Sequence, residues 1–389
     1  MIRRLSFKAD PATSYHTLDY HLRKAKKHKF LESCIDEDTR QGIVSDTVIS
    51  LYELLEVPRD FNMLFHRTGL QLYQAMSRAV PGDIAVIDTN CMRESFQKIK
   101  NITILPDINM GKLKQKTSRY TKDSSLPDGK TLTNVVRKDS KHQRVNKFSD
   151  TKVLAGFNET EPGHLTAVCF EDLNPFTGRK TDIKAYRDKY GLSTVSMIHC
   201  DISYSVPTEI LGFDRITSFS FQTQFGFGMP PGLSVWIARK EIFKKILPEY
   251  SKNLEVKYYC LPDYGPAYIH SQVDIDILYA FGMIVKDMLN RGIMIIRNEI
   301  KYKSIILYNA IKASMNLELM IDDPDQQSQN IIFARTKADI KYVVDYFNGH
   351  GVELDIYTDE KEVTILRIAN YPVHSKEQVE YLSDLLTRF

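Results

Sequence analysis

The chain has 389 residues, 43% of them hydrophobic and 26% charged, so it can bury a large core, and its length favours two domains. Its longest uninterrupted apolar run, residues 277–285, is far shorter than the roughly 20 residues that cross a bilayer. Its charged start shows no secretory pattern, which predicts a cytoplasmic protein without membrane contact. Its five scattered cysteines form no CxxC pair, which argues against a disulfide framework or a cysteine zinc site.

The net charge of +3 conceals one strongly basic segment. Residues 112–147, the basic insertion, hold eleven Lys and Arg against three Asp, so the remainder of the chain is acidic. The favoured interpretation is a solvated surface insertion, and the alternative is a patch for nucleic acid or another polyanion. Only Tyr120 and Phe148 could stack on bases, and no nucleic-acid motif surrounds the segment, which argues against nucleic acid.

After an N-terminal arm (residues 1–40), predicted strands alternate with predicted helices as far as residue 289. Hydrophobic runs bounded by turn residues predict strands at 61–65, 83–88, 102–105, 152–157, 165–169, 194–200, 216–221 and 233–238. Helical spacing of apolar residues predicts helices at 46–56, 70–80, 92–98, 182–190 and 273–289. This alternation is typical of a doubly wound, mainly parallel α/β sheet. It predicts a large domain over residues 41–289, which the basic insertion interrupts.

From residue 290 the pattern predicts a small C-terminal α+β domain, residues 290–389. Strands are predicted at 331–335, 352–357 and 363–368, and a helix is predicted at 337–347. A last helix is predicted to begin at Ser375, with Gln378 in capping-box register.

No common catalytic motif identifies the chemistry. The chain lacks GxGxxG, Walker A, HExxH and GxSxG patterns, and its ten histidines do not cluster. Polar residues instead follow successive predicted strands, namely Arg67 and Thr68, residues 158–160, Asp201 and Gln224. Because open α/β sheets bind ligands outside the carboxyl ends of their strands, this set favours a pocket there. Singly, each residue is explained equally well as a local cap or turn.

Four segments resemble class V aminotransferases, which are pyridoxal phosphate (PLP)-dependent enzymes of fold type I, and most closely their phosphoserine aminotransferase-like branch. Residues 223–237 (TQFGFGMPPGLSVWI) resemble the lysine segment Q-K-x-F-G-L-P-A-G-L-x-V-W-I, and residues 366–379 (LRIANYPVHSKEQV) resemble R-I-A-N-F-P-x-H-S-x-E-Q-V. Residues 158–163 are similar to N-E-T-S-x-G, and residues 199–205 are similar to V-D-A-V-S-S. The resemblance implies a fold-type-I architecture, with a large sheet domain and a small C-terminal domain, and a homodimer.

The resemblance breaks at the family's Schiff-base lysine, which aligns with Phe225. No lysine lies between Lys189 and Lys240, so a small shift of the alignment supplies none. In this family a lysine amine links the cofactor as an imine and then moves a proton, and a phenyl ring can do neither. We therefore assign no catalytic residue and no covalent cofactor. We expect Phe225 to project into the cleft and pack on neighbours such as Phe227 or Met229, or stack on a bound ring.

Other residues match binding positions of the family, and the resemblance implies roles for them if a cofactor binds. Asp201 would pair with the pyridine nitrogen, Thr160 would lie near the ring oxygen, and Gln224 and Thr68 would lie at the phosphate. Arg367 would hold the substrate carboxylate, as a planar guanidinium does. A strand-end cap, a turn residue and an ion pair remain equally good explanations of Asp201, Thr160 and Arg367.

The leading hypothesis is therefore a lysine-less homologue that performs no ordinary transamination. It would act as a binding or accessory protein, with the old cofactor cleft free for a small anionic ligand or a partner protein. The alternative is an enzyme that holds pyridoxal or pyridoxamine phosphate noncovalently and acts on an amino or keto acid. A third, weaker hypothesis is polyanion binding through the basic insertion.

Overall fold

The computed structural model describes residues 5–9, 14–27, 36–80, 84–87, 102–105, 167–185, 197–253, 256–261, 263–264, 266–359 and 362–389. The basic insertion lies outside these ranges, as do Thr160 and the predicted elements at 92–98 and 152–157. Most of the helix predicted at 182–190 also lies outside them.

Fifteen strands and eight helices are assigned within the described ranges. The strands are β1 (Leu5–Ser6), β2 (Phe61–His66), β3 (Ile84–Ile87), β4 (Ile102–Leu105), β5 (Ala167–Glu171), β6 (Met197–Asp201), β7 (Ser218–Gln222), β8 (Ser234–Arg239), β9 (Val256–Tyr259), β10 (Ala267–His270), β11 (Glu318–Leu319), β12 (Ile331–Thr336), β13 (Val352–Glu353), β14 (Asp355–Thr358) and β15 (Thr364–Ala369). The helices are α1 (Leu18–Lys27), α2 (Glu37–Leu54), α3 (Gly69–Ala79), α4 (Lys240–Asn253), α5 (Ile275–Arg291), α6 (Ile293–Ala313), α7 (Ile340–Gly349) and α8 (Lys376–Arg388).

The largest sheet has nine strands in the order β4-β3-β5-β6-β7-β8-β2-β10-β9, and we call it the central sheet. Within it, only β8 and β9 run antiparallel to the other strands. Side chains alternate between the two faces of each strand. On β2, Met63 and Phe65 join a cluster that includes α2 and α5, whereas Leu64 joins a second cluster that includes α3 and α4. Helices therefore cover both faces, and the predicted doubly wound, mainly parallel fold is confirmed.

The C-terminal part forms a smaller α+β unit. Strands β11, β12, β15 and β14 form an antiparallel sheet in that order, and α6, α7 and α8 contribute to its core. Strand β1 pairs with β13, which brings Phe7 into the same core, where it is fully buried. The first described residues of the chain thus pack with the last ones, a long-range contact that local sequence patterns do not contain.

Most predicted strands are present with bounds shifted by at most three residues, and the capping box of Ser375 and Gln378 is confirmed. The single strand predicted at 352–357 was wrong, because this segment is divided into β13 and β14, which belong to different sheets. Helix α2 begins at Glu37, nine residues before the predicted start at 46, because the Asp36 side chain accepts the amide hydrogen of Thr39 and caps the helix. Helices α4 and α6 and strands β9 and β10 were not predicted. Within the described ranges no helix combines the length and the apolar composition of a membrane span.

Candidate functional site

Four parallel strands of the central sheet end at one edge, which we call the carboxyl edge, and polar residues lie there. Strand β2 leads into Thr68, β5 ends at Glu171, β6 ends at Asp201 and β7 ends at Gln222. Open α/β sheets bind their ligands at this edge. The fold thus places Thr68 and Asp201, two of the residues singled out from the sequence, at the edge expected of a binding site.

Asp201 is 8% exposed, and its carboxylate is held by donors of the chain itself. Its Oδ1 accepts the amide hydrogen of Ser203 at 2.9 Å, and its Oδ2 accepts the hydroxyls of Tyr73 and, at 3.4 Å, Ser220. Burial raises the pKa of Asp201, and the hydrogen bonds from Ser203, Tyr73 and Ser220 oppose that rise. In the described part of the chain no Lys or Arg forms an ion pair with this carboxylate.

Tyr73 is a site residue that the sequence analysis missed. It lies on the face of α3 that packs against the sheet, and it is buried beside Leu72 and Met76. Burial, followed by the charge of Asp201, raises the pKa of its phenol well above the usual value. The hydroxyl therefore stays protonated and donates a hydrogen bond to the Asp201 Oδ2. The helical spacing of α3 indicates that Tyr73 is a core residue, but it contains no signal for the partner of its hydroxyl.

Further acidic residues lie at the end of β5 and directly after it, and these too were missed. Glu171 pairs in register with Asp201, and burial raises the pKa of the adjacent Asp172 to about 8. Lys180 forms an ion pair with Glu209 at 2.9 Å. Within the described residues, carboxyl groups therefore outnumber cations around Asp201.

Of the two residues expected at a phosphate group, Thr68 lies at the start of α3. Thr68 is exposed and caps α3 by accepting the amide hydrogen of Gln71 at 3.2 Å. Gln224 is half-buried. Gln222, which was not predicted, lies against the helix start: its Nε2 is 3.0 Å from where a Cβ on Gly69 would lie.

Phe225 is 5% exposed and packs into an apolar cluster built mainly by the C-terminal unit. Its ring lies 4.7 Å from that of Tyr204, centroid to centroid. The buried members of the cluster are Ala9, Leu173, Phe225, Ile331, Phe333, Ile365, Ala369 and Tyr371. The expected neighbours were wrong, since Phe227 and Met229 belong to the core between the sheet, α2 and α5. Residues 223–227 form turns rather than a strand, so positions 225 and 227 do not share a face.

The loop that carries Phe225 is fixed by a close backbone approach at Gly226. A Cβ at this position would lie 1.8 Å from the carbonyl oxygen of Val206. Only glycine allows the two backbone segments to lie so close together. This contact ties the loop after β7 to the loop after β6, and thus fixes Phe225 relative to Asp201.

Arg367 lies on β15 opposite Asp355 of β14 and forms an ion pair with it. Its Nη2 and Nε lie 3.0 and 3.1 Å from the Asp355 Oδ2, an oxygen that also accepts the amide hydrogen of Ala9 at 2.8 Å. Both side chains of the pair are less than one-fifth exposed. Burial lowers the pKa of Arg367 and Asp355 raises it, with a net upward shift. The guanidinium therefore has an internal carboxylate partner.

Tyr204 connects these positions. It follows Asp201 by three residues, its ring packs on Phe225, and its hydroxyl acts electrostatically on Arg367. Asp201, Phe225 and Arg367 are thus brought to one region where the central sheet meets the C-terminal unit. Thr160 lies outside the described residues.

The fold is that of known aminotransferases. The structure resembles a phosphoserine aminotransferase from Cytophaga hutchinsonii (TM-score 0.72, 19% identity, covering 99% of each chain). It also resembles the PLP-bound phosphoserine aminotransferase of Trichomonas vaginalis (TM-score 0.64, 15% identity, covering 99% of this chain and 100% of that one). A third similar structure is the ureidoglycine-glyoxylate aminotransferase of Bacillus subtilis (TM-score 0.65, 14% identity, covering 99% and 92%).

At these identities the similarity establishes the fold alone. No family model matches the chain, and no curated protein sequence matches it significantly. The chain is therefore a mixed α/β protein of fold-type-I aminotransferase architecture, and its function has to be argued from its own residues.

The position that the resemblance gives to the Schiff-base lysine is not a lysine in this chain. Phe225 has no amine, and Asp201 already accepts the Tyr73 hydroxyl. Two other lysines near this region are engaged elsewhere, Lys180 with Glu209 and Lys303 with two backbone carbonyls. Nor do the described residues include a group of three side chains able to hold a metal ion.

Proposed function

We propose that this chain, which has the aminotransferase fold without the Schiff-base lysine, performs no ordinary transamination. It acts as a binding or accessory protein that binds small molecules noncovalently at the carboxyl edge. The observation that carries this proposal is the packing of Phe225. At the position that the resemblance gives to the Schiff-base lysine, a phenyl ring lies in an apolar cluster with Tyr204, Phe333 and Tyr371. Such a site offers no amine for covalent chemistry.

The state of Arg367 supports the same proposal. A substrate carboxylate would have to displace Asp355, which is already in place on the neighbouring strand. Breaking this half-buried pair would leave Asp355 without its cation, which is costly in a poorly solvated site. The arginine is thus used to join β14 and β15, and it is not preorganised for a ligand.

The proposal includes the organisation of the protein. We propose a large domain over residues 41–289, a small domain over residues 290–389, an arm over residues 1–40 and a homodimer in the cytoplasm. Light scattering on the purified chain tests the dimer. A monomer at micromolar concentration would contradict it.

The second candidate is an enzyme that holds pyridoxal or pyridoxamine phosphate noncovalently. It is favoured by the carboxylate of Asp201 at the end of β6 and by the exposed Thr68 at the start of α3, where a helix N-terminus attracts anions. An absorbance spectrum of the purified protein separates the two candidates, because only the enzyme would carry a stoichiometric pyridoxal or pyridoxamine band.

Borohydride trapping tests the main proposal. The protein is incubated with PLP, reduced with borohydride and mapped by peptide mass spectrometry. We expect no stoichiometrically modified lysine from the cleft, because Phe225 cannot form the imine. Such a modification, for example on Lys180, would show that another lysine has replaced the missing one and would overturn the proposal.

The variant Phe225→Lys gives a second test, with Phe225→Leu as the matched control that loses the ring but gains no amine. Restoring the lysine should give a reducible adduct at most, and no efficient phosphoserine transamination, because Asp201 and Arg367 keep their internal partners. Circular dichroism establishes that both variants fold. Transamination at the rate of an ordinary aminotransferase would refute the argument.

A further inference from the structure

A chain of hydrogen bonds runs through the central sheet and ends at Asp201. The Trp236 Nε1 lies 2.7 Å from the Ser218 Oγ, which lies 2.8 Å from the His199 Nδ1. The His199 Nε2 lies 3.0 Å from the Ser220 Oγ, which lies 3.4 Å from the Asp201 Oδ2. All five side chains are buried, and His199, Ser218 and Trp236 are entirely so. The chain crosses β8, β7 and β6, and the Tyr73 hydroxyl joins it at Asp201.

The groups at the two ends of this chain of hydrogen bonds indicate its direction. The indole of Trp236 can only donate, so the Ser218 oxygen accepts and its hydrogen is available to the His199 Nδ1. At the other end the Ser220 hydroxyl donates to the Asp201 Oδ2, so its oxygen accepts from the His199 Nε2. Both ends are satisfied together by one neutral tautomer of His199, with the proton on Nε2. Burial lowers the pKa of His199 to about 3, which agrees with a neutral ring.

This arrangement leads to a role for two residues. We propose that His199, as its Nε2–H tautomer, is a positioning residue that holds the Asp201 carboxylate through Ser220 as an oriented acceptor, and that the Tyr73 hydroxyl is the donor which a ligand must displace from it. The second half rests on the proposed noncovalent binding function. The ligand class that fits is a small molecule with a protonated ring nitrogen or another N–H donor, since the acceptor is a carboxylate without an ion-pair partner in the described part of the chain.

The geometry distinguishes this role from ordinary core packing. A core histidine requires partners for its two nitrogens, and any pair of polar groups would serve. Here both partners lie on β7 as Ser218 and Ser220, two residues apart on one face, and only Ser220 reaches Asp201. The ring of Tyr73 also stands edge-on to that of His199 at 6.3 Å between centroids, so the imidazole supports both members of the Tyr73–Asp201 pair.

Nitrogen NMR of histidine-labelled protein tests the positioning role, with His199→Asn used to assign the resonances. We expect the His199 Nε2 to be protonated and the ring to stay neutral from pH 8 to pH 5. In Ser220→Ala the Asp201 carboxyl resonance should titrate at a higher pH, because one of its donors is lost. Ser50→Ala is the matched control, since Ser50 is a buried serine of α2 whose hydroxyl donates to the Asp46 carbonyl and not to Asp201. A proton on Nδ1, a ring that titrates near pH 6.5, or an Asp201 titration that Ser220→Ala leaves unchanged would overturn the role.

Calorimetric titration with pyridoxamine 5′-phosphate, an amine that forms no imine with lysine, tests the displaceable donor. Tyr73→Phe keeps the ring and removes the hydroxyl, so it should bind the probe roughly tenfold more tightly than the unmodified chain. Ser220→Ala should bind it more weakly. Equal affinity for Tyr73→Phe and the unmodified chain, or no binding to either, would refute the displacement. Failure of the proposed function itself would be seen separately, as a borohydride-trapped lysine.

Discussion

Lys303 provides the sharpest stability test, because it is a buried cation that the candidate site does not use. It lies on α6 and is 1% exposed. Its Nζ donates to the carbonyl oxygens of Tyr371 and His374, at 3.1 and 2.8 Å, and thereby holds the segment after β15. Burial lowers the pKa of Lys303 to about 8 from 10.5, while Glu299 raises it and Arg291 lowers it further. The neighbouring His374 is neutral at the pH of the test, because burial lowers its pKa to about 3.

The sign of the pH effect follows from which state binds the proton more tightly. Between about pH 8 and pH 10.5 the unfolded chain keeps the Lys303 proton and the folded chain releases it, so the free energy of unfolding rises with pH. The difference between the two pKa values of Lys303 corresponds to a total rise in the free energy of unfolding of about 3 kcal/mol, which is complete above pH 10.5. Between pH 7 and pH 9 the same linkage gives about 1.4 kcal/mol, which is a tenfold change in the folding equilibrium.

Urea unfolding at pH 7, 8 and 9 measures this contribution if Lys303→Met is compared with the unmodified chain. Methionine has a similar length and no proton to lose, so groups that titrate in both chains cancel in the difference. We expect the stability of the unmodified chain to rise relative to the variant by about 1.4 kcal/mol from pH 7 to pH 9. A pH-independent difference between the two chains would show that Lys303 is not buried as a cation with a depressed pKa, and would refute the argument.

Three further perturbations test the packing around the candidate site. Gly226→Ala should lower the free energy of unfolding by about 2 kcal/mol or more, because the added Cβ meets the Val206 carbonyl. The control Gly42→Ala on α2 has open space around its Cβ and should raise the free energy of unfolding by about 0.5–1 kcal/mol. Equal effects of the two variants in urea unfolding would contradict this argument. Phe225→Ala should cost about 3–5 kcal/mol through the cavity it leaves, and a loss below 1 kcal/mol would show that the ring is not packed as described. Deleting residues 112–147 should leave the thermal midpoint nearly unchanged, since loop length costs little closure entropy, and a fall of more than about 10 °C would count against a surface insertion.

The fold could be predicted from the sequence largely because its central strands are short apolar runs with sharp ends. Strand β2 matches its predicted run almost to the residue, and β8 begins one residue late. Helix α6 was missed for a physical reason. Its buried face includes Lys303 and Ser304 among Ile296, Ile300 and Leu307, so two polar residues interrupt the apolar pattern that identifies such a helix.

The site was less predictable, because its contacts join residues far apart in the chain. The partner of Asp201 is Tyr73, 128 residues away, and the cluster around Phe225 draws most of its members from residues 331–371. Closeness in the sequence made Phe227 an expected neighbour of Phe225, but the two side chains join different hydrophobic clusters. Spacing predicts which side chains are buried, and only the folded chain determines which of them meet.

The matched segment 366–379 shows why the resemblance could predict the fold. Its Asn370 is fully buried and donates to the carbonyls of Ile300 and Gln329, and Ser375 with Gln378 caps α8. The Arg367 of the same segment joins β14 to β15 through Asp355. These residues therefore have structural functions in this chain, whether or not it is an enzyme. A lysine at position 225 would have no such function, because a buried amine in the cluster around Phe225 is costly unless chemistry requires it. The presence of these structural residues together with Phe225 agrees with the proposal that the fold serves a purpose other than transamination.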